Sequence, residues 1–197
     1  GVEIMVDEVR SIDGESKIAV LHGQGELSYD KLIIATGSRP VVPGWLKGAQ
    51  LENVYTVPKN LDYLDQMKQK LKDKKRIIVI GAGFIGIEMS DELKKAGKEV
   101  TLVELQPHVL PLAFDPDVAE EAELILKERK INVLTGHTVR EILGSDRVEA
   151  VKIEHGGRIE TLKADAVILS MGYKPNVDLA KDLKDITFNR DGFIKVD

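Results

Sequence analysis

The stretch IIVIGAGFIG, residues 77–86, decides the fold. Its first four residues form a β-rich apolar run, typical of a strand buried on both faces of a parallel sheet. Gly81, Gly83 and Gly86 follow with GxGxxG spacing. Residues 84–96 then place apolar side chains along one helical stripe. The pattern predicts a strand, a tight glycine turn and a helix in immediate succession.

The next strand ends in an acid. Residues 100–103 predict that strand, and Glu104 follows Gly86 by 18 residues, near the expected spacing of about 20. Gly81 permits the tight turn, Gly83 lets a pyrophosphate approach the backbone, and Gly86 lets the helix pack closely on the strand. The free N–H groups at the helix start would face the phosphates, and Glu104 would accept hydrogen bonds from an adenine ribose. The alternative is a glycine-rich turn that binds nothing.

The acid favours NAD(H) over NADP(H). A ribose 2′-phosphate beside Glu104 would be repelled, and no lysine or arginine occurs between Glu104 and Lys127 to receive it. NAD(H) is therefore the predicted cofactor of this part of the chain.

The remaining pattern predicts an α/β protein, with a Rossmann-like βαβαβ domain and an antiparallel β-meander crossover. Asn60 and Asp115 are candidate N-caps of two further helices. Further strands are predicted at residues 17–21, 32–35, 132–134, 139–143, 148–153, 159–162 and 166–169, and residues 1–9 also have strand-like alternation.

Composition excludes several classes of function. The chain has 197 residues, no cysteine, and 28 basic against 33 acidic side chains, for a net charge of −5. No disulfide framework, thiolate zinc site or cysteine chemistry is available, and nucleic-acid binding is not indicated. The longest run without a polar side chain, residues 77–87, is too short for a membrane span of about 20 residues. The four histidines do not have the spacing of metal ligands, so no metal site is predicted. The sequence shows no signal peptide, so a cytoplasmic location is expected.

Four stretches together are more specific than any one of them. The sequence resembles the FAD-dependent pyridine nucleotide–disulfide oxidoreductase superfamily, and within it the branch of NADH oxidase, NADH peroxidase and coenzyme A-disulfide reductase. The stretches that match in the family's order are YDKLIIATGS (residues 29–38) with Pro40, VIGAGFIGIE (79–88), VTLVE (100–104) and GYKPN (172–176).

The resemblance implies a domain order in which an NAD domain is inserted into an FAD domain. Both ends of the chain look cut from a longer protein, so we expect an internal fragment. The implied segments are 1–40 as a partial FAD-domain segment, 41–59 as a connector, 60–165 as the NAD(H)-binding domain and 166–197 as the return into FAD-domain strands, with a hairpin over 186–196.

The resemblance also assigns site residues. Phe84 would cover the nicotinamide pocket and move aside when NADH enters, Glu88 would lie near the nicotinamide carboxamide and ribose, and Gly172 would lie on the nicotinamide side. Simple packing for Phe84 and a helix-dipole role for Glu88 are the alternatives. The predicted NAD(H) residues are Gly81, Gly83, Phe84, Ile85, Gly86, Glu88, Glu104 and Gly172, and those beside FAD are Ala35, Thr36 and Gly37.

The implied reaction passes a hydride from NADH to FAD and then electrons to a disulfide, persulfide, oxygen or peroxide. The family's N-terminal FAD-binding glycine motif and its redox cysteine are missing from this sequence, so no catalytic residue is predicted here and the chain alone is expected to be inactive. The alternative is a free-standing dinucleotide-binding or redox-sensing module without catalysis. A single-domain dehydrogenase is weaker, because no proton-transfer constellation accompanies the glycine motif. Homo-oligomers are expected, through the exposed edge of the strand predicted at 32–35; the alternative is that the chain covers this edge with its own termini.

Overall fold

Residues 1–196 are described by the structure, a computed structural model, and they fall into two units. The larger unit is Pro40–Tyr173, and the smaller unit joins Gly1–Arg39 to the residues from Lys174 onward. The helices are α1 (Leu61–Lys70), α2 (Phe84–Lys95) and α3 (Pro116–Glu128), with a short 3-10 helix at Asp178–Ala180. The strands are β1 (Val9–Asp13), β2 (Ile18–Leu21), β3 (Gly25–Ser28), β4 (Ser38–Pro40), β5 (Val54–Thr56), β6 (Arg76–Ile80), β7 (Glu99–Val103), β8 (Asn132–Leu134), β9 (Thr138–Leu143), β10 (Ala150–His155), β11 (Arg158–Lys163), β12 (Ala166–Leu169) and β13 (Tyr173–Pro175).

A five-stranded parallel sheet in the order β5-β12-β6-β7-β8 is the centre of the larger unit. Two of its inner strands are buried on both faces: every residue of β12 is buried, as are the last four of β6. This burial explains why these segments are continuous apolar runs and not alternating ones. The predicted Rossmann-like α/β fold is confirmed.

The two faces of this sheet carry different layers. Val79 and Leu102 face a core with Leu93 of α2 and Leu126 of α3, whereas Ile78 packs with meander residues. The meander is antiparallel in the order β11-β10-β9, as its alternating sequence predicts. Helices therefore cover one face and a second sheet covers the other.

The helix ends follow their sequence signals in part. The Asn60 side chain accepts a hydrogen bond from the Tyr63 N–H at 2.9 Å, which caps α1 as predicted. Pro116 occupies the first turn of α3, but the carboxylate of Asp115 makes no capping hydrogen bond. Gly97, with a φ of +78°, lies just past α2 and ends it. None of the helices in residues 1–196 is both long enough and apolar enough to cross a membrane.

The smaller unit contains a three-stranded antiparallel sheet, β1-β2-β3. The predicted strand at 32–35 is wrong: that segment forms no strand, and Ile33 is 89% exposed. A strand needs a neighbour to pair its backbone groups, and no strand of residues 1–196 pairs with this one. Residues 1–8 likewise form no strand, and the expected hairpin over 186–196 is reduced to one antiparallel bridge between Phe188 and Ile194.

Candidate functional site

The first glycine of the motif turns the chain sharply at the end of β6. The N–H of Gly81 donates to the carbonyl of Val103 at 2.8 Å, so the turn begins while the backbone is still paired with β7. Gly81 has a φ of +98°, and a Cβ there would lie 2.3 Å from the carbonyl oxygen of Ser170. Both the backbone conformation and the close approach of Ser170 require glycine.

The last glycine of the motif lets α2 pack against this turn. Gly86 is buried, and a Cβ there would lie 1.9 Å from the carbonyl oxygen of Gly81. One turn further along α2, the buried hydroxyl of Ser90 donates to the carbonyl of Gly86 at 2.7 Å. Gly81 and Gly86 therefore serve the packing of the protein on itself.

The middle glycine differs from the other two. Gly83 is the N-cap of α2 with ordinary dihedrals, φ −74° and ψ −176°, and a Cβ there would meet nothing within 4 Å. In the described part of the chain, no side chain caps this helix end and no acid stands in its first turn. The first N–H groups of a helix have no partner within it, so the positive end of α2 faces open space. This arrangement fits a phosphate group.

Glu104 is fixed by backbone donors on both sides. One carboxylate oxygen accepts from the Ala82 N–H at 2.7 Å, and the other accepts from the Gln106 N–H at 2.9 Å. The half-buried side chain thus links the glycine turn to the loop after β7. Each oxygen retains a lone pair, which can accept a further hydrogen bond from a ribose hydroxyl.

These residues line a cleft of about 610 Å³ in the larger unit. It lies at the carboxyl ends of the parallel strands, where open α/β sheets bind their ligands. Glu104 is its one carboxylate, and no lysine or arginine lines it in the part of the chain that the structure describes. Predicted residues in its wall are Gly81, Gly83, Phe84, Ile85, Glu104 and Gly172, and unpredicted ones include Trp45, Leu105, Leu110, Leu112, His137 and Met171.

Other predicted residues lie outside the cleft wall. Gly86 is buried under the turn, and Glu88 is exposed on α2. Thr36 belongs to the smaller unit with Ala35 and Gly37, all three exposed. The Thr36 hydroxyl donates to the carbonyl of Asn176, whose side-chain amide donates to the Thr36 carbonyl at 3.0 Å. Two of the four matching stretches therefore meet within that unit.

Phe84 is not a core residue. Its side chain is 63% exposed, and its ring meets that of Phe114 edge to face, with the centroids 5.9 Å apart and the planes at 76°. Tyr173 lies at another part of the wall, where its hydroxyl donates to the carbonyl of Val57. Burial raises the pKa of Tyr173, which keeps the phenol neutral.

The loop after β7 is the part of the site that sequence reasoning missed. The N–H of Leu110 donates to the carbonyl of Ala82 at 2.8 Å, and Leu110 has a φ of +53°, which is uncommon for a leucine. Nothing periodic marks this loop; the signal that could have found it is its position after a sheet strand next to the glycine motif. Residues 1–196 contain no cluster of three or more His, Cys, Asp or Glu side chains that could hold a metal ion.

A family model and similar curated proteins point to the same protein family. A family model described as pyridine nucleotide-disulphide oxidoreductase matches residues 1–197. The NADH oxidase of Methanocaldococcus jannaschii is 37% identical over 157 residues, which are 79% of this chain and 34% of that protein. The NAD(P)H coenzyme A polysulfide/persulfide reductase of Pyrococcus horikoshii is 35% identical, over 93% of this chain and 40% of that protein.

Solved structures agree with these relatives. The water-forming NADH oxidase of Lactobacillus brevis, solved bound to NADH, superposes with a TM-score of 0.76 at 30% identity over 93% of this chain and 40% of that one. The NAD-dependent persulfide reductase of A. fulgidus gives a TM-score of 0.83 at 32% identity, over 96% of this chain and 35% of that one. The chain thus spans between 34% and 40% of the length of these four relatives.

Proposed function

Because the chain belongs to the pyridine nucleotide-disulphide oxidoreductase family, as its four matching stretches predicted, we propose that its larger unit binds NADH as hydride donor in a flavin-dependent oxidoreductase. The observation that carries this proposal is the cleft at the uncapped start of α2, open above Gly83 and bounded by Glu104. These residues fit a dinucleotide, because they provide an anion site and a ribose acceptor in the order that a dinucleotide needs.

The chain's own residues bind and orient the cofactor. The free N–H groups after Gly83 receive the pyrophosphate, and Glu104 accepts from the ribose hydroxyls on the adenosine side. Gly172 has open space at its missing Cβ, and with Phe84 it borders the nicotinamide side of the cleft. Glu88, exposed on α2, keeps its proposed place near the nicotinamide only if the ligand extends past the cleft wall.

Selectivity for NADH over NADPH follows from charge. A 2′-phosphate would stand beside the carboxylate of Glu104, and no lysine or arginine among the described lining residues could neutralise it. The proposed order of affinity is therefore NADH above NADPH.

The proposal includes FAD, but it assigns only part of the FAD contact to this chain. Bound FAD would take up the hydride and deliver electrons to a disulfide, persulfide, oxygen or peroxide. Ala35, Thr36 and Gly37 would touch it, but these exposed residues do not enclose a flavin by themselves. We also propose that this chain alone does not turn over, that it self-associates and that it is cytoplasmic.

The test is calorimetric titration of the purified chain with NADH and, separately, with NADPH. We expect NADH to bind with the higher affinity and the purified chain to be colourless. If NADH does not bind, the proposed function is wrong for this chain. Stoichiometric flavin in the purified protein would contradict the proposed lack of turnover by the chain alone.

A further inference from the structure

The order of strands in the central sheet indicates where each part of a bound dinucleotide would lie. The glycine turn follows β6, and Glu104 follows β7, so the pyrophosphate and the ribose are assigned to adjacent strand ends. On the far side of β7 lies β8, and on the other side of β6 lies β12, which leads to Gly172. The adenine base should therefore lie toward the end of β8, and the nicotinamide toward the end of β12.

His137 stands where this layout places the base. It comes three residues after the end of β8, is half-buried and lines the cleft. The backbone N–H of His137 donates to the backbone carbonyl of Glu104 at 2.9 Å, so His137 is held directly beside the residue proposed to bind the ribose. Leu105, which follows Glu104 and is 59% exposed, gives the same wall an apolar surface.

A second histidine braces this ring. His137 and His155 stack with their centroids 4.5 Å apart and their planes at 17°. The Nδ1 atoms lie 2.7 Å from the Thr135 carbonyl oxygen and 2.8 Å from the Gly136 carbonyl oxygen, respectively. Because a carbonyl only accepts, each Nδ1 carries its hydrogen and each ring is fixed in orientation. His137 is therefore a flat aromatic part of the cleft wall, and His155 supports it from behind the wall before any ligand binds.

We propose that His137, braced by His155, contacts the adenine base of the bound dinucleotide. The proposal rests on the proposed function, since it assigns a residue to the adenine end of that same cleft. Flat aromatic side chains suit this contact, because a purine stacks on them at little entropic cost to a ring that is already fixed. The start of α2 binds the phosphates and Glu104 binds the ribose, whereas His137 contacts the adenine base.

Proton NMR can test the contact without altering the protein. The chain has four histidines, so their ring Hε1 signals are few enough to follow individually. Addition of ADP-ribose, which carries adenine but no nicotinamide, should shift the His137 signal through the ring current of the base. Nicotinamide mononucleotide should not shift it, and the signal of exposed His22, in the smaller unit, should stay in place. If saturating ADP-ribose leaves the His137 signal unmoved, the proposal is wrong.

Variants separate a base contact from support of the loop. His137→Ala should weaken ADP-ribose binding roughly 5- to 100-fold, and His137→Phe, which keeps a flat ring, should recover most of it. His22→Ala is the matched control and should bind like the wild type. Wild-type affinity in His137→Ala, or no recovery in His137→Phe, would overturn the proposal. Failure of the wild-type chain to bind either NADH or ADP-ribose would instead refute the proposed function, and this inference with it.

Discussion

Replacing Gly83 by alanine should separate folding from binding. A Cβ at this position meets nothing within 4 Å, and its dihedrals suit any residue, so the folded chain accepts the methyl group without strain. Alanine restricts the unfolded chain, which stabilises by about 0.4–1 kcal/mol, but it is a poorer N-cap than glycine by a similar amount. The free energy of unfolding should therefore change by less than about 1 kcal/mol.

The effect on binding should be much larger, because the space above Gly83 is where the pyrophosphate would lie. A methyl group there pushes the phosphates away from the N–H groups at the start of α2. Losing charge-assisted hydrogen bonds of about 1.5–3 kcal/mol corresponds to roughly a 10- to 100-fold weaker Kd for NADH. The predicted signature is a variant that unfolds like the wild type and binds NADH poorly.

Thermal unfolding and calorimetric titration with NADH on the same preparations measure both effects. Gly44→Ala is the matched control, since its Cβ also meets nothing within 4 Å and its φ is not positive. Gly86→Ala should behave oppositely, because its Cβ would lie 1.9 Å from the Gly81 carbonyl oxygen and overpacking costs about 1–3 kcal/mol of stability. The reasoning is refuted if Gly83→Ala binds NADH like the wild type or loses as much stability as Gly86→Ala.

Three further predictions concern charge and exposed surface. Glu104→Gln should reduce the ratio of NADH to NADPH affinity about tenfold, measured by titration with each nucleotide, because the repulsion of the 2′-phosphate is removed. Hydrogen bonds from the Arg76 side chain and from backbone N–H groups lower the pKa of Asp165 from 3.8 to about 2. Its carboxylate should therefore contribute about 1–2 kcal/mol to the free energy of unfolding above pH 4, and this contribution should be lost as the pH falls toward 2. In urea unfolding, the stabilities of Asp165→Asn and the wild type should differ at pH 7 and converge near pH 2. Sedimentation should show concentration-dependent association that Ile33→Glu weakens, since Ile33 is 89% exposed; a wild type that stays monomeric at high concentration contradicts this.

The sequence was most informative where local signals and burial agree. The β6 run, its glycine turn and α2 were predicted because burial on both faces demands an apolar run and a tight turn demands glycine. The strand expected at 32–35 has the same apolar character but forms no ladder in the structure. The hydrophobic pattern of a segment predicts which side chains would be buried. Whether the segment forms a strand depends on a neighbouring strand to pair with, which the pattern does not reveal.

The cleft wall shows a similar limit. Gly81, Gly83 and Glu104 could be named from spacing alone, because their chemistry depends on short distances along the chain. His137 and Leu110 reach the site through the order of strands in the sheet and through hydrogen bonds to Glu104 and Ala82. No local signal marks them, since their role depends on contacts that are distant in sequence.

The proposed cofactor selectivity and the local stability of the glycine turn both depend on the carboxylate of Glu104. The charge of Glu104 would repel a 2′-phosphate, and its two oxygens accept hydrogen bonds from the backbone N–H groups of Ala82 and Gln106. Glutamine removes the charge but keeps one acceptor oxygen, so one of these two N–H groups must lose its partner. An unpaired N–H that is shielded from water costs about 1–3 kcal/mol, and partial exposure lowers that cost here. Broadening this cleft toward NADPH should therefore loosen the glycine turn, unless a cation introduced beside the ribose offsets the phosphate charge and leaves Glu104 in place.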